Sequence, residues 1–407
     1  MKQQGISKLD LKRQNRMQVL KLLKRQGPTS RIDIAATLEL TRAAVTIITN
    51  EMIEQGIICE IGEQKNVSER APRGRKKILI DINHHYKFAL GVLIDDTQVS
   101  VGLSTLAGEV LDKRNITFDE SITYEGLLDF LRTSMHEIMS YNCLDERHIL
   151  GVGVGVFPGV HERVRATVRG NMVCYPTLEK DLRAFTGLPL VLEDSVRALA
   201  MANLDFPRDR NERTQNAAFF QYGEHFGSVL LFDNEPSDRA IGSTSRINAL
   251  LAAPGKENTL LARTGMQALT ARVAEALSPE STPHLYGATV GDPEKITLSL
   301  IAAAYAEGDT GVHEAVDDIC GCLGVMLNNI ACLASPEKII LHGFPQELEF
   351  LVVRLLERRG EFLPDGGTEV ITSSIGDRVQ FLGGCAAAIR KLFFERGGFD
   401  REIRGEE

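Results

Sequence analysis

No apolar run in the 407 residues reaches bilayer-spanning length, and the opening Met-Lys-Gln-Gln-Gly lacks the apolar core of a secretion signal. A membrane protein and an exported one are therefore not expected; the chain reads as cytoplasmic. Cysteine is sparse, scattered and odd in number, seven in all, which fits reduced thiols rather than a disulfide framework. Cys320 and Cys322 stand two apart in an apolar helical stretch, on diverging faces. They read as small buried hydrophobes and not as a metal pair. No low-complexity tract and no obvious internal repeat is present. Positive charge is also scarce, except in one place. The chain carries a net charge of −9, yet residues 1–80 hold 16 Lys and Arg against 8 Asp and Glu, about +8, leaving −17 for the rest. A basic head on an acidic body is the electrostatic footprint of a small DNA-binding domain joined to something larger.

What is present is ordinary in bulk, with 43% hydrophobic and 25% charged residues, and the length suggests two or three domains. The most informative stretch is residues 28–58. It reads as two short helices with a tight turn, then a Gly stop and an apolar strand. Ser30 stands in N-cap position with Asp33 in capping-box register, Glu39-Leu40 makes the turn, and Thr41 caps the second helix. Val45, Ile48 and Met52 recur at helical spacing and point inward, leaving Thr41, Arg42, Ala43 and Thr46 outward near the N-terminus. This is the geometry of a helix-turn-helix whose second helix reads the major groove; the competing reading is a helical hairpin that only packs. A preceding helix, Leu9 to Gln26, buries Met17, Leu20 and Leu23 and places Lys12, Arg13, Arg16, Lys21, Lys24 and Arg25 on its other faces, with Gly27-Pro28 ending it. Lys12 and Arg13 are placed to touch phosphates. Apolar stretches Ile57–Ile61 and Lys77–Ile82 flank a polar loop, so the unit reads as a winged helix. Within the loop, Arg73-Gly74-Arg75 suits an A·T-rich minor groove, because a Gly between two guanidiniums lets the backbone lie close.

From Phe88 the texture changes. Three strands (Phe88–Ile94, Gln98–Leu103, Glu109–Thr117) precede an amphipathic helix, Ser121–Tyr141, and an alternating Gly/Val strand, Leu150–Gly159. A strand at Leu188–Leu192 and a helix at Ser195–Leu204 complete an actin-like half. A second half is read from strands Ala217–Gln221 and Gly227–Phe232, a long helix Val312–Leu333, a strand Lys338–Leu341, and helices Gln346–Arg358 and Gly383–Phe394. Residues 241–283 show no usable periodicity. The expected organisation is a winged-helix head with its basic wing (1–82), one lobe (83–205), and a second lobe with the dimerisation region (206–407).

Taken together, the winged helix, the Arg-Gly-Arg loop, Gly-Val-Gly-Val-Phe-Pro-Gly (153–159), Gly-Leu-Pro-Leu-Val-Leu-Glu-Asp (187–194) and Pro-Glu-Lys-Ile-Ile-Leu (336–341) resemble the ROK family of repressors and sugar kinases over nearly the whole chain. The resemblance implies an α/β fold: a winged helix-turn-helix followed by a two-lobed actin-like, ribonuclease H-like sugar-kinase body. It also allows the kinase chemistry to be tested residue by residue. Where the family has Asp-Ile-Gly-Gly-Thr, this chain has Leu93-Ile94-Asp95-Asp96-Thr97, so carboxylates stand where glycines cradle phosphate. The base of the family's Glu-Asn-Asp falls on Ser195 in Glu193-Asp194-Ser195, and serine cannot serve as that base. The sugar-holding Glu-x-Gly-His appears as Arg246-Ile247-Asn248-Ala249, and no cysteine stands in the zinc-motif region, 254–270.

The implied function is a dimeric repressor, or dimer of dimers, of carbohydrate-use genes, with operator DNA as partner and a degenerate kinase body. Neither a cofactor nor a metal is expected. The implied effector site comprises Asn171, Asp194, Ser195 and Arg246, and Arg246 in place of a Glu favours a sugar phosphate or sugar acid over a neutral sugar. Pairing of Arg246 with a nearby carboxylate such as Asp194 is the plainer alternative. Two rivals stand: an active sugar kinase using Asp194 as substitute base, and a regulator controlled by a protein partner.

Overall fold

The protein is described here from a computed structural model, which describes residues 8–63, 77–118, 121–157, 160, 164, 167–169, 172–207, 214–223, 226–237, 247, 250–252, 254–364 and 367–399. The chain divides into two compact units. One holds the chain up to Ala198 and again from Arg378 onward; the other is Leu199–Asp377.

The first unit opens with α1 (Lys8–Gln26), β1 (Thr29–Ser30), α2 (Arg31–Thr37), α3 (Arg42–Glu54), β2 (Ile58–Glu63) and β3 (Ile78–Ile82). The strands form a three-stranded antiparallel sheet in the order β1-β3-β2, giving the winged helix its β1, which no sequence pattern announced. Local chemistry sets the ends. Gly27, at φ 74°, stops α1, with its N–H donating to the Leu23 carbonyl at 2.7 Å. Ser30 Oγ accepts from Asp33 N–H at 3.3 Å, and Thr41 Oγ1 accepts from Ala44 N–H at 3.2 Å. The reciprocal half of the expected capping box is replaced: Ser30 Oγ donates to the Asp33 carboxylate at 2.6 Å, and Lys77 also binds that carboxylate at 2.8 Å. Val19, Leu20 and Leu23 of α1, Ile34 of α2, Val45 and Met52 of α3, and Ile80 of β3 close a small core.

The turn between α2 and α3 places Glu39 at φ 54°, left-handed backbone in which a β-carbon costs about 1 kcal/mol. Glu39→Gly is therefore expected to stabilise the protein by about 0.5 kcal/mol after the extra unfolded-state entropy of Gly, read from chemical denaturation; a loss of stability would show the turn to be held by the Glu side chain.

The same unit continues with β4 (Phe88–Ile94), β5 (Gln98–Ser104), β6 (Val110–Thr117), α4 (Tyr124–Tyr141), β7 (Ile149–Val156), β8 (Thr167–Arg169), β9 (Met172–Cys174), α5 (Pro176–Thr186), β10 (Leu190–Asp194) and the start of α6 (Ser195–Asp205). α4 begins three residues later than expected because Thr123 caps it, accepting from Gly126 N–H at 3.1 Å. The main sheet runs β10-β7-β4-β5-β6, with β4–β6 an antiparallel meander and β7 and β10 parallel to β4.

The second unit holds β11 (Ala217–Gln221), β12 (Gly227–Phe232), β13 (Glu235–Pro236), α7 (Leu260–Thr264), α8 (Met266–Glu275), α9 (Pro283–Thr289), α10 (Leu298–Ala306), α11 (Thr310–Ala334), β14 (Lys338–His342), α12 (Glu349–Glu357), α13 (Arg359–Phe362) and β15 (Glu369–Thr372). Its sheet order, β13-β12-β11-β14-β15, has the same meander-plus-two-parallel arrangement as the first. This duplication of topology is the two-lobed actin-like pattern, with no counterpart in sequence identity. Contrary to expectation, α11 is long and apolar enough to cross a bilayer by length and composition. Twelve of its residues, including Ile319, Leu323 and Leu327, are buried in the core of this unit, as in a soluble core helix.

The chain then returns to the first unit as α14 (Leu382–Ile389), continued by a π-helical turn, Arg390–Phe394. The expected third segment, 206–407, is thus divided, and the reason lies in glycine. A β-carbon on Gly91 of β4 would strike the Phe381 carbonyl, and one on Gly153 of β7 would strike the Gly384 carbonyl. α14 lies so close to the sheet that only glycine leaves room. The Gly/Val alternation of β7 therefore encodes a trough for the C-terminal helix.

Candidate nucleic-acid interface and remnant sugar-kinase site

α3 presents Thr41, Arg42, Ala43 and Thr46 as exposed residues, together with Ile47 and Asn50, which the sequence pattern had not singled out. Arg42 has no ion pair among the described residues. Thr46 Oγ1 donates to its own helix at the Arg42 carbonyl (2.8 Å). The helix is held at its other end by a guanidinium fork. Arg31 donates to Thr49 Oγ1 (3.0 Å), to Asn50 Oδ1 (3.2 Å) and to Glu60 Oε1 of β2 (2.9 Å), tying α2, α3 and the wing together. Lys12, expected to meet phosphate, is engaged with Glu51 of α3 at 2.7 Å, whereas Arg13 is exposed. Lys77 holds the Asp33 carboxyl below the usual carboxylate range, aided by Ser30. Arg73 and Arg75 lie outside the described residues.

One residue departs from its expected place. Arg16 was assigned to the solvated faces of α1, but it is fully buried. Its Nε donates to the Gly397 carbonyl (2.9 Å), its Nη2 donates to Gln55 Oε1 (2.7 Å), and its guanidinium carbon lies 3.9 Å from the centre of the Phe399 ring. Nη1 is buried without a hydrogen-bond partner, and desolvation lowers the pKa of the group. The spacing Arg16-Leu20-Leu23 puts it on the apolar face, a signal that residue type had masked. The head is thus bolted to the turn that ends the C-terminal helix. Gly397 (φ 65°) fits there because a β-carbon would come within 2.9 Å of the Arg13 carbonyl.

In the remnant phosphate hairpin, Leu93 is buried in β4 and Asp95 occupies the turn. A single oxygen of Asp95 accepts from Thr97 N–H (2.9 Å), Thr97 Oγ1 (3.1 Å) and Gln98 N–H (2.6 Å). Two backbone donors of the turn, Thr97 and Gln98 N–H, are therefore taken by an internal carboxylate. Burial raises Asp95 to about 6, with the neighbouring Asp96 adding to the shift against those hydrogen bonds. Because the folded-state value exceeds the unfolded one near 3.8, the folded protein binds this proton more tightly. Its penalty is largest above pH 6 and disappears as pH falls toward 4. Asp95→Asn keeps the accepting oxygen and removes the charge. It is expected to stabilise the protein by about 2 kcal/mol at pH 8, with the gain vanishing near pH 4, measured by urea denaturation across pH.

Asp194 ends β10 and caps α6: its Oδ1 accepts from Val196 N–H (2.9 Å) and Arg197 N–H (3.2 Å). Its pKa is raised to about 6, first by desolvation, with Glu193 contributing. No bond to its Oδ2 occurs among the described residues. Ser195 is fully buried with an unpartnered hydroxyl. Asn171 and Arg246 lie outside the described residues, so of the four expected effector residues the structure places the adjacent Asp194 and Ser195. Among the described residues, no cluster of His, Cys, Asp and Glu is arranged to hold a metal ion.

No family model matches the chain. It is 23% identical over 400 residues to the xylose repressor of Caldicellulosiruptor bescii, covering 94% of this chain and 97% of that one. It is 29% identical over 370 residues to the DNA-binding transcriptional dual regulator NagC of Escherichia coli, covering 87% and 86%. A solved ROK family transcriptional regulator, a homologue of E. coli MLC protein, superposes over 95% of this chain and 97% of its own with TM-score 0.70 at 23% identity. The chain is thus similar along most of its length to xylose and N-acetylglucosamine repressors, and it shares the fold of a ROK family regulator. A ROK family glucokinase from Streptomyces griseus is also a structural neighbour, with TM-score 0.58 at 19% identity over 74% of this chain and 99% of its own. That likeness is one of fold. In this chain the two-lobed body is preceded by a winged helix, and Asp95 accepts from the backbone of its own hairpin turn.

Proposed function

We propose that this protein is a ROK family member and a cytoplasmic, dimeric transcriptional repressor of carbohydrate-use genes, in which a body without phosphoryl transfer senses a sugar-class effector. The observation that carries the reading is the outward face of α3. Thr41, Arg42, Ala43 and Thr46 are exposed on a capped, firmly packed second helix, and Arg42 keeps its guanidinium for an outside partner. The names of the relatives, xylose repressor and NagC, support the same class. Thr41, Arg42, Ala43 and Thr46 meet base edges in the major groove, while Arg73 and Arg75 enter an A·T-rich minor groove beside it.

The effector binds around Asn171, Asp194, Ser195 and Arg246. Asp194 Oδ2 accepts a sugar hydroxyl, and Arg246 selects an anionic ligand, a sugar phosphate or sugar acid, by bidentate pairing. Thermal shifts with neutral sugars, sugar phosphates and uronic acids test this directly. Stabilisation by neutral sugars alone sinks the anion preference.

A second reading has one observation in its favour. A carboxylate raised to about 6, as Asp194 is, suits a general base near neutral pH and would serve an active sugar kinase. Against it stand the capping role of Asp194 and the occupied hairpin at Asp95. A coupled ATP-turnover assay across hexoses separates the two: the repressor reading expects no sugar-dependent turnover, and turnover abolished by Asp194→Asn would establish the kinase.

A further inference from the structure

Ile47 projects from α3 with 62% of its surface exposed. The head does not need it for packing, because Val45, Ile48 and Met52 of the same helix already fill the core. A β-branched side chain at a solvated helix position is also a poor choice for helix stability, so solvent gives no reason for it. Its surroundings continue the theme. Ala43 lies one turn before it on the same face and is exposed, and Thr46 spends its hydroxyl on the Arg42 carbonyl, leaving its methyl as the free part. Asn50, one turn further, has its amide oxygen engaged by Arg31. The middle of the outward face is therefore apolar, and beside it Arg42 has no ion pair among the described residues. Within the major groove the one apolar feature of a base edge is the C5-methyl of thymine.

We propose that Ile47, with Ala43 beside it, is a specificity-determining residue that reads thymine methyl groups. The inference rests on the DNA-binding reading and deepens it. It makes the half-site A·T-bearing under the middle of α3, where the apolar contact adds to the hydrogen bonds that flanking side chains make.

The experiment starts with duplexes selected by the full-length chain from a random pool, followed by replacement of each thymine by deoxyuridine, which removes only the methyl. At one thymine per half-site, deoxyuridine is expected to weaken binding of the wild-type chain about 3- to 10-fold. Ile47→Ala is expected to weaken binding to the thymine duplex by a similar factor and to bind the thymine and deoxyuridine duplexes equally, with an unchanged melting temperature because the residue is exposed. Ile47→Val, which keeps most of the apolar surface, should retain part of the discrimination. An Ile47→Ala protein with wild-type affinity, or one that still discriminates deoxyuridine, overturns the assignment and leaves Ile47 as a contact for another protein. Failure of the wild-type chain to enrich any duplex overturns the DNA-binding reading itself, which is a different outcome.

Discussion

Arg16→Ala is expected to release the winged-helix head from the turn at Gly397–Phe399 and to cost about 3 kcal/mol or more. The substitution removes two charge-assisted hydrogen bonds, to the Gly397 carbonyl and to Gln55, and the stacking on Phe399. It also leaves a buried carbonyl without its donor, at a position where water is excluded. Arg16→Met keeps the length of the stem and most of the apolar contact, and is expected to lose less. Hydrogen exchange is the measurement: protection should fall in α1 and around residues 393–399 while the sheet β4–β7 keeps its own. Unchanged protection in α1 would mean that the head holds itself, and that the buried guanidinium contributes nothing to its attachment. The junction is not built for maximum stability. A buried guanidinium with neutral acceptors and one unpartnered nitrogen is costlier than an apolar plug of the same volume. What it provides is a directional attachment between the winged-helix head and the end of the C-terminal helix, beside the Lys24 ammonium that lies over the Phe394 ring.

The second large effect belongs to Gly153. Gly153→Ala is expected to destabilise the first unit by about 4 kcal/mol or more, because the added methyl would overlap the Gly384 carbonyl, a backbone atom that cannot step aside. Gly384→Ala, from the opposite side of the same contact, should be as severe, since its methyl would meet Gly153 and Val92 backbone atoms. Gly187→Ala, at a left-handed helix end where a β-carbon would meet only Glu146 Oε1 at 3.8 Å, is the control and should cost only about 1 kcal/mol. Soluble yield and urea midpoints of the three variants test this. A Gly153→Ala protein as stable as the control would show that α14 does not lie in the glycine trough.

The head was legible because its signals are local. Ser30 and Thr41 cap the two helices, Gly27 stops α1, and the 3.6-residue spacing of Val45, Ile48 and Met52 defines the buried face. Arg16 was misread because residue type was weighed above spacing. Strands β11 and β12 fell on their expected residues, Ala217–Gln221 and Gly227–Phe232. α10 was missed because Leu298–Ala306 is apolar all round and has no polar face to give a period; β15, only four residues, was too short to stand out. The Gly/Val strand was recognised as a strand, but its purpose was not, because the helix it receives lies more than two hundred residues away. The same distance effect explains why α14 was assigned to the wrong segment.

At Asp95 and Asp194 the family resemblance pointed to unusual residues but not to what they do. That Asp95 satisfies its own turn and that Asp194 caps α6 are facts of geometry, set by which N–H groups point at which oxygen. Each carboxylate satisfies N–H groups of its own turn, and Asp194 Oδ2 has no bond among the described residues. Replacing Asp95 by glycine would remove this acceptor and leave the Thr97 and Gln98 N–H groups without it.

The central claim is that α3 and the wing read a defined DNA sequence on behalf of a sugar-sensing body. Fluorescence anisotropy of the full-length chain on a duplex selected from a random pool tests it most directly, against a scrambled duplex at physiological salt. The expected result is a preference for the selected duplex of about a thousandfold or more, reduced at least tenfold by Arg42→Ala. Equal affinity for the two duplexes, or a preference untouched by Arg42→Ala, would contradict it.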